Sequence, residues 1–127
     1  MILVDTSVLI RHFRSHTHHR QRLIETISLV VCGISIAEFR AGARTPAQLN
    51  ATTAHLAYCG RLPTPESICE PAGRNQAHLA ANGLIVQLFD TVIATVAIDA
   101  GLELWTYDAH FTAMASLPGL RLYHEPP

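Results

Sequence analysis

Lysine is absent from this chain of 127 residues, so every permanently positive side chain is one of nine arginines. Charged residues of both signs make up only 15 % of the sequence, against 49 % hydrophobic residues. That balance excludes a disordered chain, and the length suits one ordinary globular domain. Long apolar runs are missing as well. Asp90 and Asp99 interrupt the most apolar region, which excludes a membrane span there. The N-terminus carries an acid where a signal peptide carries basic residues, and the expectation is a soluble cytoplasmic protein. Cysteine is scarce: Cys32, Cys59 and Cys69 are odd in number and form no CxxC pair. A disulfide framework and a structural zinc site are both excluded on that pattern. There is no internal repeat and no low-complexity linker. The net charge of −1 points to no partner by itself.

What is present is an alternation of apolar runs and helical patterns. Ile2–Asp5 reads as a buried strand, followed by a helix in which Leu9 and Phe13 lie one turn apart. Arg14 to His19 is polar and reads as a turn, and a second helix follows with Leu23, Ile24 and Ile27 on one face. Leu29–Cys32 is a short apolar strand ended by Gly33, and Ser35 opens a helix that stops near Gly42. Thr45-Pro46 starts another helix, running to Cys59-Gly60, because proline suits the first helical position. Leu62–Pro65 is extended, restricted by its two prolines. An Ala-rich helix spans Pro71 to Asn82 and Gly83 closes it. The stretch LIVQLFDTVIATVAIDAG is rich in β-branched residues, but its length and terminal glycine favour a buried helix from Asp90. Glu103–Thr106 reads as a strand, Ala109–Ser116 as a short helix and Leu120–Tyr123 as a last strand. Such alternation implies an α/β fold with a parallel sheet covered on both faces.

In such folds chemistry sits beyond the carboxyl ends of the strands. Asp5 follows the first strand, Asp108 follows the Trp105-Thr106 strand, Asp90 opens a helix, and Glu38 lies one turn into another. Each also has a structural role open to it. Asp5, Asp90 and Asp108 are good N-cap residues, and Ser35-Ile36-Ala37-Glu38 has the form of a capping box. Together, however, they place three of the chain's four aspartates and one glutamate at one edge. Clustered carboxylates repel unless a cation neutralises them, and an oxygen-rich set suits Mg²⁺ or Mn²⁺.

These residues carry a resemblance. VDTSVLI at 4–10, ISIAEFRAG at 34–42, FDTVIATVAIDAGLEL at 89–104 and TYDAHF at 106–111 are similar, in order and spacing, to the PIN domain nucleases. Within that family they most resemble the VapC-type toxins of bacterial toxin–antitoxin pairs. The resemblance implies a three-layer PIN fold, with a mostly parallel sheet flanked by helices over residues 1–127. It also implies a Mg²⁺-dependent endoribonuclease acting on RNA. A cognate antitoxin would block the site of a toxin homodimer, giving a heterotetramer or larger assembly with no membrane component. It carries the acidic roles onto Asp5, Glu38, Asp90 and Asp108, with Asp5 and Asp90 as metal ligands. Thr6 matches the hydroxyl residue beside the first acid, Thr106 the one two places before the last, and both become candidate substrate contacts. Gly83 matches the family's glycine ahead of the third acid. Region 45–82, Ala-rich and without lysine, departs from the commoner pattern.

The acids imply hydrolysis by a metal-activated water, with Glu38 or Asp108 orienting that water or placing a second ion. No Ser-His-Asp or Cys-His pattern suggests a covalent nucleophile. A phosphatase of the haloacid dehalogenase type needs an Asp-x-Asp pair, and Asp5-Thr6-Ser7 lacks the second aspartate. A catalytically idle PIN-like binding module is the other alternative, although all four acids are present. Arginines 11, 14, 20 and 22 precede any further acid before Glu25. Arg11, Arg14, Arg20 and Arg22 are therefore expected to offer phosphate a cationic approach to an acidic site. The alternative is a solvated turn. His16, His18 and His19 read as solvated surface residues. His110, two residues past Asp108, has two readings, a substrate contact or general acid near the site and a surface residue in the first turn of a helix, and it stays outside the catalytic set.

Overall fold

The computed structural model of the chain describes residues 1–14 and 27–126, without the side chains of Phe13 and Arg14. The expected turn from Arg14 to His19, and the second helix around Leu23 and Ile24, lie outside the described residues. The first strand, β1, is Ile2–Val4, and α1 is Thr6–Arg14. β2 is Leu29–Cys32, as expected, and α2 is Gly33–Ala41. α3 covers Pro46–Leu56 and β3 covers Gly60–Leu62. A 3₁₀ turn at Glu66–Ile68 leads into α4, Cys69–Ala81. α5 is Leu88–Ala100, β4 is Glu103–Trp105, and α6 is Ala109–Ala113, continued by a 3₁₀ turn at Met114–Ser116.

The four strands form one sheet in the order β3-β2-β1-β4, and every pairing is parallel. Side chains alternate across a strand, so strands this apolar must be covered on both faces. Leu3, Val30, Cys32 and Leu104 enter one core with Ala72 and Leu79 of α4 and Ile93, Ala94 and Ala97 of α5. Ile2, Val4, Leu29, Val31 and Trp105 enter the other, with Val8 and Leu9 of α1 and Leu56 of α3. A shift of one residue in any strand would exchange these two sets.

Local chemistry fixes most boundaries. Thr45 caps α3 by accepting the Gln48 N–H, while the Gln48 side chain accepts the Thr45 N–H, and Pro46 occupies the first turn. Gly101 ends α5 in the left-handed conformation at φ 65°, where a glycine carries no Cβ penalty. Four expectations are corrected. The capping box at Ser35–Glu38 does not form, because Cys32 is extended and α2 begins at Gly33, two residues before Ser35. Ser35 is drawn inside the turn instead, its Oγ 3.8 Å from Cys32 Sγ. Asp90 does not cap α5 either, since Gln87 is the N-cap and Asp90 is the third helical residue. α3 stops at Leu56, ahead of Cys59-Gly60, because Gly60 already belongs to β3. Finally, Leu120–Tyr123 makes a single parallel bridge, Leu122 to Leu104, and not a full strand.

Two polar residues of α4 set the approach to α5. Gln76 Nε2 donates to the Val86 carbonyl at 2.8 Å, and its Oε1 accepts from the Thr91 hydroxyl at 2.5 Å. Asn75 donates to Thr95, whose hydroxyl also donates to the Thr91 carbonyl. Gln76 thus ties the segment before α5 to the turn that carries Asp90. Gln76→Ala should lower unfolding free energy by about 1–3 kcal/mol, because it leaves the half-buried Val86 carbonyl and the hydroxyl of buried Thr91 without their partner. Denaturant unfolding measures this, and a change below about 0.5 kcal/mol would contradict the role.

Candidate active site

Asp5 stands where β1 ends, and its backbone N–H still donates to the Trp105 carbonyl of β4 at 3.1 Å. The residue is only 5 % exposed, and both carboxylate oxygens accept hydrogen bonds. Oδ1 accepts from the Ser7 N–H at 2.6 Å, the Ser7 hydroxyl at 2.5 Å and the Val8 N–H at 3.4 Å. Oδ2 accepts from the Thr106 hydroxyl at 2.6 Å. Asp5 is therefore the N-cap of α1, and the same carboxylate faces the end of the sheet. Burial pushes its pKa up, while the bonds from Ser7 and Thr106 act in the opposite direction.

Thr106 links the two strand ends. Its hydroxyl donates to Asp5 and accepts the Asp108 N–H at 2.9 Å. In this fold the hydroxyl of Thr106, a candidate substrate contact, holds two of the acids. Ser7, which the sequence reading passed over, has the same bridging role: it donates to Asp5 and accepts the Tyr107 N–H at 2.9 Å. Its signal was present in the Asp-Thr-Ser stretch after a strand, a common local capping pattern. Asp108 caps α6 through the His110 N–H at 2.9 Å.

Asp90 comes from the first turn of α5 and Glu38 from α2. Burial raises the pKa of Asp90 first, then the charges of Asp108 and Asp5, while His110 lowers it. Partial burial raises Glu38 as well, followed by the charges of Asp90, Asp5 and Asp108. The fold thus brings all four acids within electrostatic reach of one another. His110 belongs to the same cluster. Its Nδ1 lies 3.4 Å from Asp108 Oδ1 and 3.7 Å from Asp90 Oδ2. Asp90, Asp108 and His110 each offer a ligand atom, all within 4.8 Å of one another.

Thr6 lines a cleft of about 320 Å³ between α1, α2 and α3, together with Ile10, Glu38, Phe39, Thr52 and His55. Its Oγ1 is buried and has no hydrogen-bond partner among the described residues. Arg11 is exposed, with Cζ 4.0 Å above the Tyr107 ring, one residue from Asp108. Arg20, Arg22 and the side chain of Arg14 lie outside the described residues.

The sequence matches the PIN domain family over residues 2–117. The chain belongs to the PIN domain family. PIN domains are nucleases that use a divalent metal. Solved structures share the fold of this PIN domain. A chain of VapBC2 from Rickettsia felis, bound to a DNA fragment from its promoter, matches with a TM-score of 0.81 and 20 % identity, covering 97 % of this chain and 98 % of that one. VapBC-1 from nontypeable Haemophilus influenzae matches at 0.81 and 21 %, covering 97 % of both chains. VapBC-5 of Mycobacterium tuberculosis, of the VapBC family of toxin–antitoxin systems, matches at 0.72 and 24 %, covering 95 % of both. Among curated proteins, none matches the sequence.

The donor set of this PIN domain fits a divalent ion. Carboxylates with raised pKa values, and the donor atoms of Asp90, Asp108 and His110 within 4.8 Å of one another, make an oxygen-rich set that a divalent ion would neutralise. The sign of the resulting pH dependence follows. Asp5 and Asp90 titrate above their ordinary 3.8, and Glu38 above 4.5, only in the folded state. The folded protein therefore binds more protons than the unfolded chain in the window above those values. Without divalent ions, stability should rise as pH falls from neutral through that window, and fall again as pH rises. Asp90→Asn should increase stability at pH 7 and flatten the curve, whereas Asp5→Ala should cost about 1–2 kcal/mol as a lost cap. Chemical unfolding over a pH series checks both. An Asp90→Asn protein less stable than wild type at pH 7 would contradict the electrostatic account.

Proposed function

We propose that this PIN domain is a one-domain, cytoplasmic, Mg²⁺-dependent endoribonuclease and the toxin of a toxin–antitoxin pair. The observation that carries this reading is the convergence of Asp5, Glu38, Asp90 and Asp108 at the carboxyl end of a parallel sheet, with three of the four pushed toward protonation. Asp5 and Asp90 would hold Mg²⁺, with Mn²⁺ able to serve. When bound, the ion supplies Lewis acidity at the scissile phosphate and acidifies a water for in-line attack. Glu38 or Asp108 would orient the attacking water or help hold the ion. Ser7 and Thr106 keep Asp5 in one rotamer, so its Oδ2 lone pairs point consistently. Thr6, whose Oγ1 is buried, lines the cleft it shares with Glu38 and is assigned to substrate there. Arg11, at the rim over Tyr107, is assigned to substrate phosphate, and Arg14, Arg20 and Arg22 are assigned with it, since the acids alone would repel RNA.

The partner reading rests on the same charges. A bidentate arginine from an antitoxin would pair with this anionic group and displace the ion. The cleft beside Glu38, with Ile10 and Phe39 in its wall, would seat the segment that delivers it. The toxin would act, and be bound, as a homodimer.

The test is expression with and without the product of the adjacent reading frame. The chain alone should arrest growth and, once purified, cleave RNA when Mg²⁺ is added. Asp90→Asn should abolish both effects, and co-expression should suppress them and yield a larger complex on size exclusion. Full cleavage by the Asp90→Asn protein, or a chain that stays harmless and alone, would reject the proposal.

A further inference from the structure

We infer that His110 is a nitrogen ligand of the metal site and that it makes the site prefer Mn²⁺ over Mg²⁺. This rests on the nuclease reading above and specifies which ion that site selects. Asp90 arrives from α5 and Asp108 from the start of α6, and the imidazole of His110 stands against both. Its Nδ1 is 3.4 Å from an Asp108 oxygen and 3.7 Å from an Asp90 oxygen. Both separations exceed the roughly 2.8 Å of a charge-assisted hydrogen bond, so the ring is tied tightly to neither carboxylate. Neighbouring ligands of an octahedral ion held at about 2.1 Å stand roughly 3 Å apart. The His110 nitrogen therefore stands from each carboxylate oxygen at close to the spacing of ligands on adjacent corners of one coordination sphere, and all three donor atoms lie within 4.8 Å of one another.

Accessibility also suits a ligand. The Asp90 side chain is 13 % exposed, that of Asp108 38 % and that of His110 60 %. The cluster is graded from a covered floor to an open lip, and His110 can adjust its ring at little packing cost. Asp108 is fixed independently, since its Oδ1 takes the His110 backbone N–H. That bond sets the backbone of residue 110 so that the ring returns over the carboxylate that caps its helix.

Donor chemistry then decides the ion. Mg²⁺ favours oxygen ligands and gives up its waters reluctantly, so an imidazole adds little to its affinity. First-row transition ions accept imidazole readily, so His110 adds affinity for them alone. With carboxylates making up the rest of the set, Mn²⁺ is the transition ion the site suits.

The experiment uses the full chain and two probes, Mn²⁺ and Mg²⁺. Free Mn²⁺ is followed by electron paramagnetic resonance during titration, and Mg²⁺ by competition against it. Electron spin echo on the Mn²⁺-loaded protein then asks for modulation from a bound ¹⁴N nucleus. Wild type should show that modulation, and His110→Ala should lose it. The same variant should bind Mn²⁺ about tenfold or more weakly, with Mg²⁺ affinity changed by less than about twofold. Absence of nitrogen modulation in wild type would overturn the inference. So would a His110→Ala protein that binds both ions more tightly, which would make His110 a counter-cation to the two carboxylates. The Asp90→Asn protein separates this from the parent reading. Mn²⁺ binding lost in Asp90→Asn but kept in His110→Ala overturns the role of His110 alone. Mn²⁺ binding unchanged in both overturns the acidic site itself.

Discussion

Four hydrogen bonds to one carboxylate hold this structure and its site in register. Asp5 accepts from Ser7 twice, from Val8 and from Thr106, and these donors lie on α1 and just beyond β4. The bonds start α1, join the ends of two neighbouring strands and fix the position of a buried charge. Without them a carboxylate buried this deeply would be neutral or expelled. Thr106 extends the same arrangement to Asp108 through its backbone N–H, so two of the acids are placed by one hydroxyl.

The other two acids are placed by packing. Asp90 rides on the first turn of α5, and the same face, one and two turns further on, fills the larger core with Ile93, Ala94 and Ala97. Gln76 fixes where that helix begins. Glu38 extends from α2, which rests on the strand end at Cys32. Hydrophobic burial thus forces carboxylates together against their repulsion: burial raises the pKa values of Asp5, Glu38 and Asp90, and neighbouring carboxylates raise those of Glu38 and Asp90 further. A protein that spends stability this way keeps a site poised for a cation.

Much of this was legible in the residues. Ile2–Val4 and Leu29–Cys32 are apolar runs too short for helices, and they became strands with their two faces in two cores. Thr45-Pro46 and Gly101 acted by local rules that need no tertiary contact. The errors came where tertiary structure overrode such rules. Ser35 has the right neighbours for a cap, but the extended backbone of Cys32 starts α2 first and packing draws Ser35 inward. Asp90 has cap chemistry, yet α5 extends two residues further because exposed Leu88 and Phe89 still take helical geometry. The four acids could be named from their positions after apolar runs. His110 could not be assigned with them, because its nearness to Asp90 depends on how α5 and α6 meet, twenty residues apart in sequence. The bonds from the Thr106 hydroxyl to Asp5 and from the Asp108 N–H to that hydroxyl likewise depend on how β1 and β4 end side by side.

The central claim is that these acids are held together for a divalent ion and are under electrostatic stress without one. Its most direct test is unfolding free energy at pH 7 as a function of Mg²⁺ concentration. Above the dissociation constant, stability of the wild-type chain should climb by about 1.4 kcal/mol for each tenfold increase in ion. The Asp90→Asn chain should start more stable and gain little. A wild-type chain indifferent to Mg²⁺ and Mn²⁺, or an equal gain in the Asp90→Asn chain, would contradict the account.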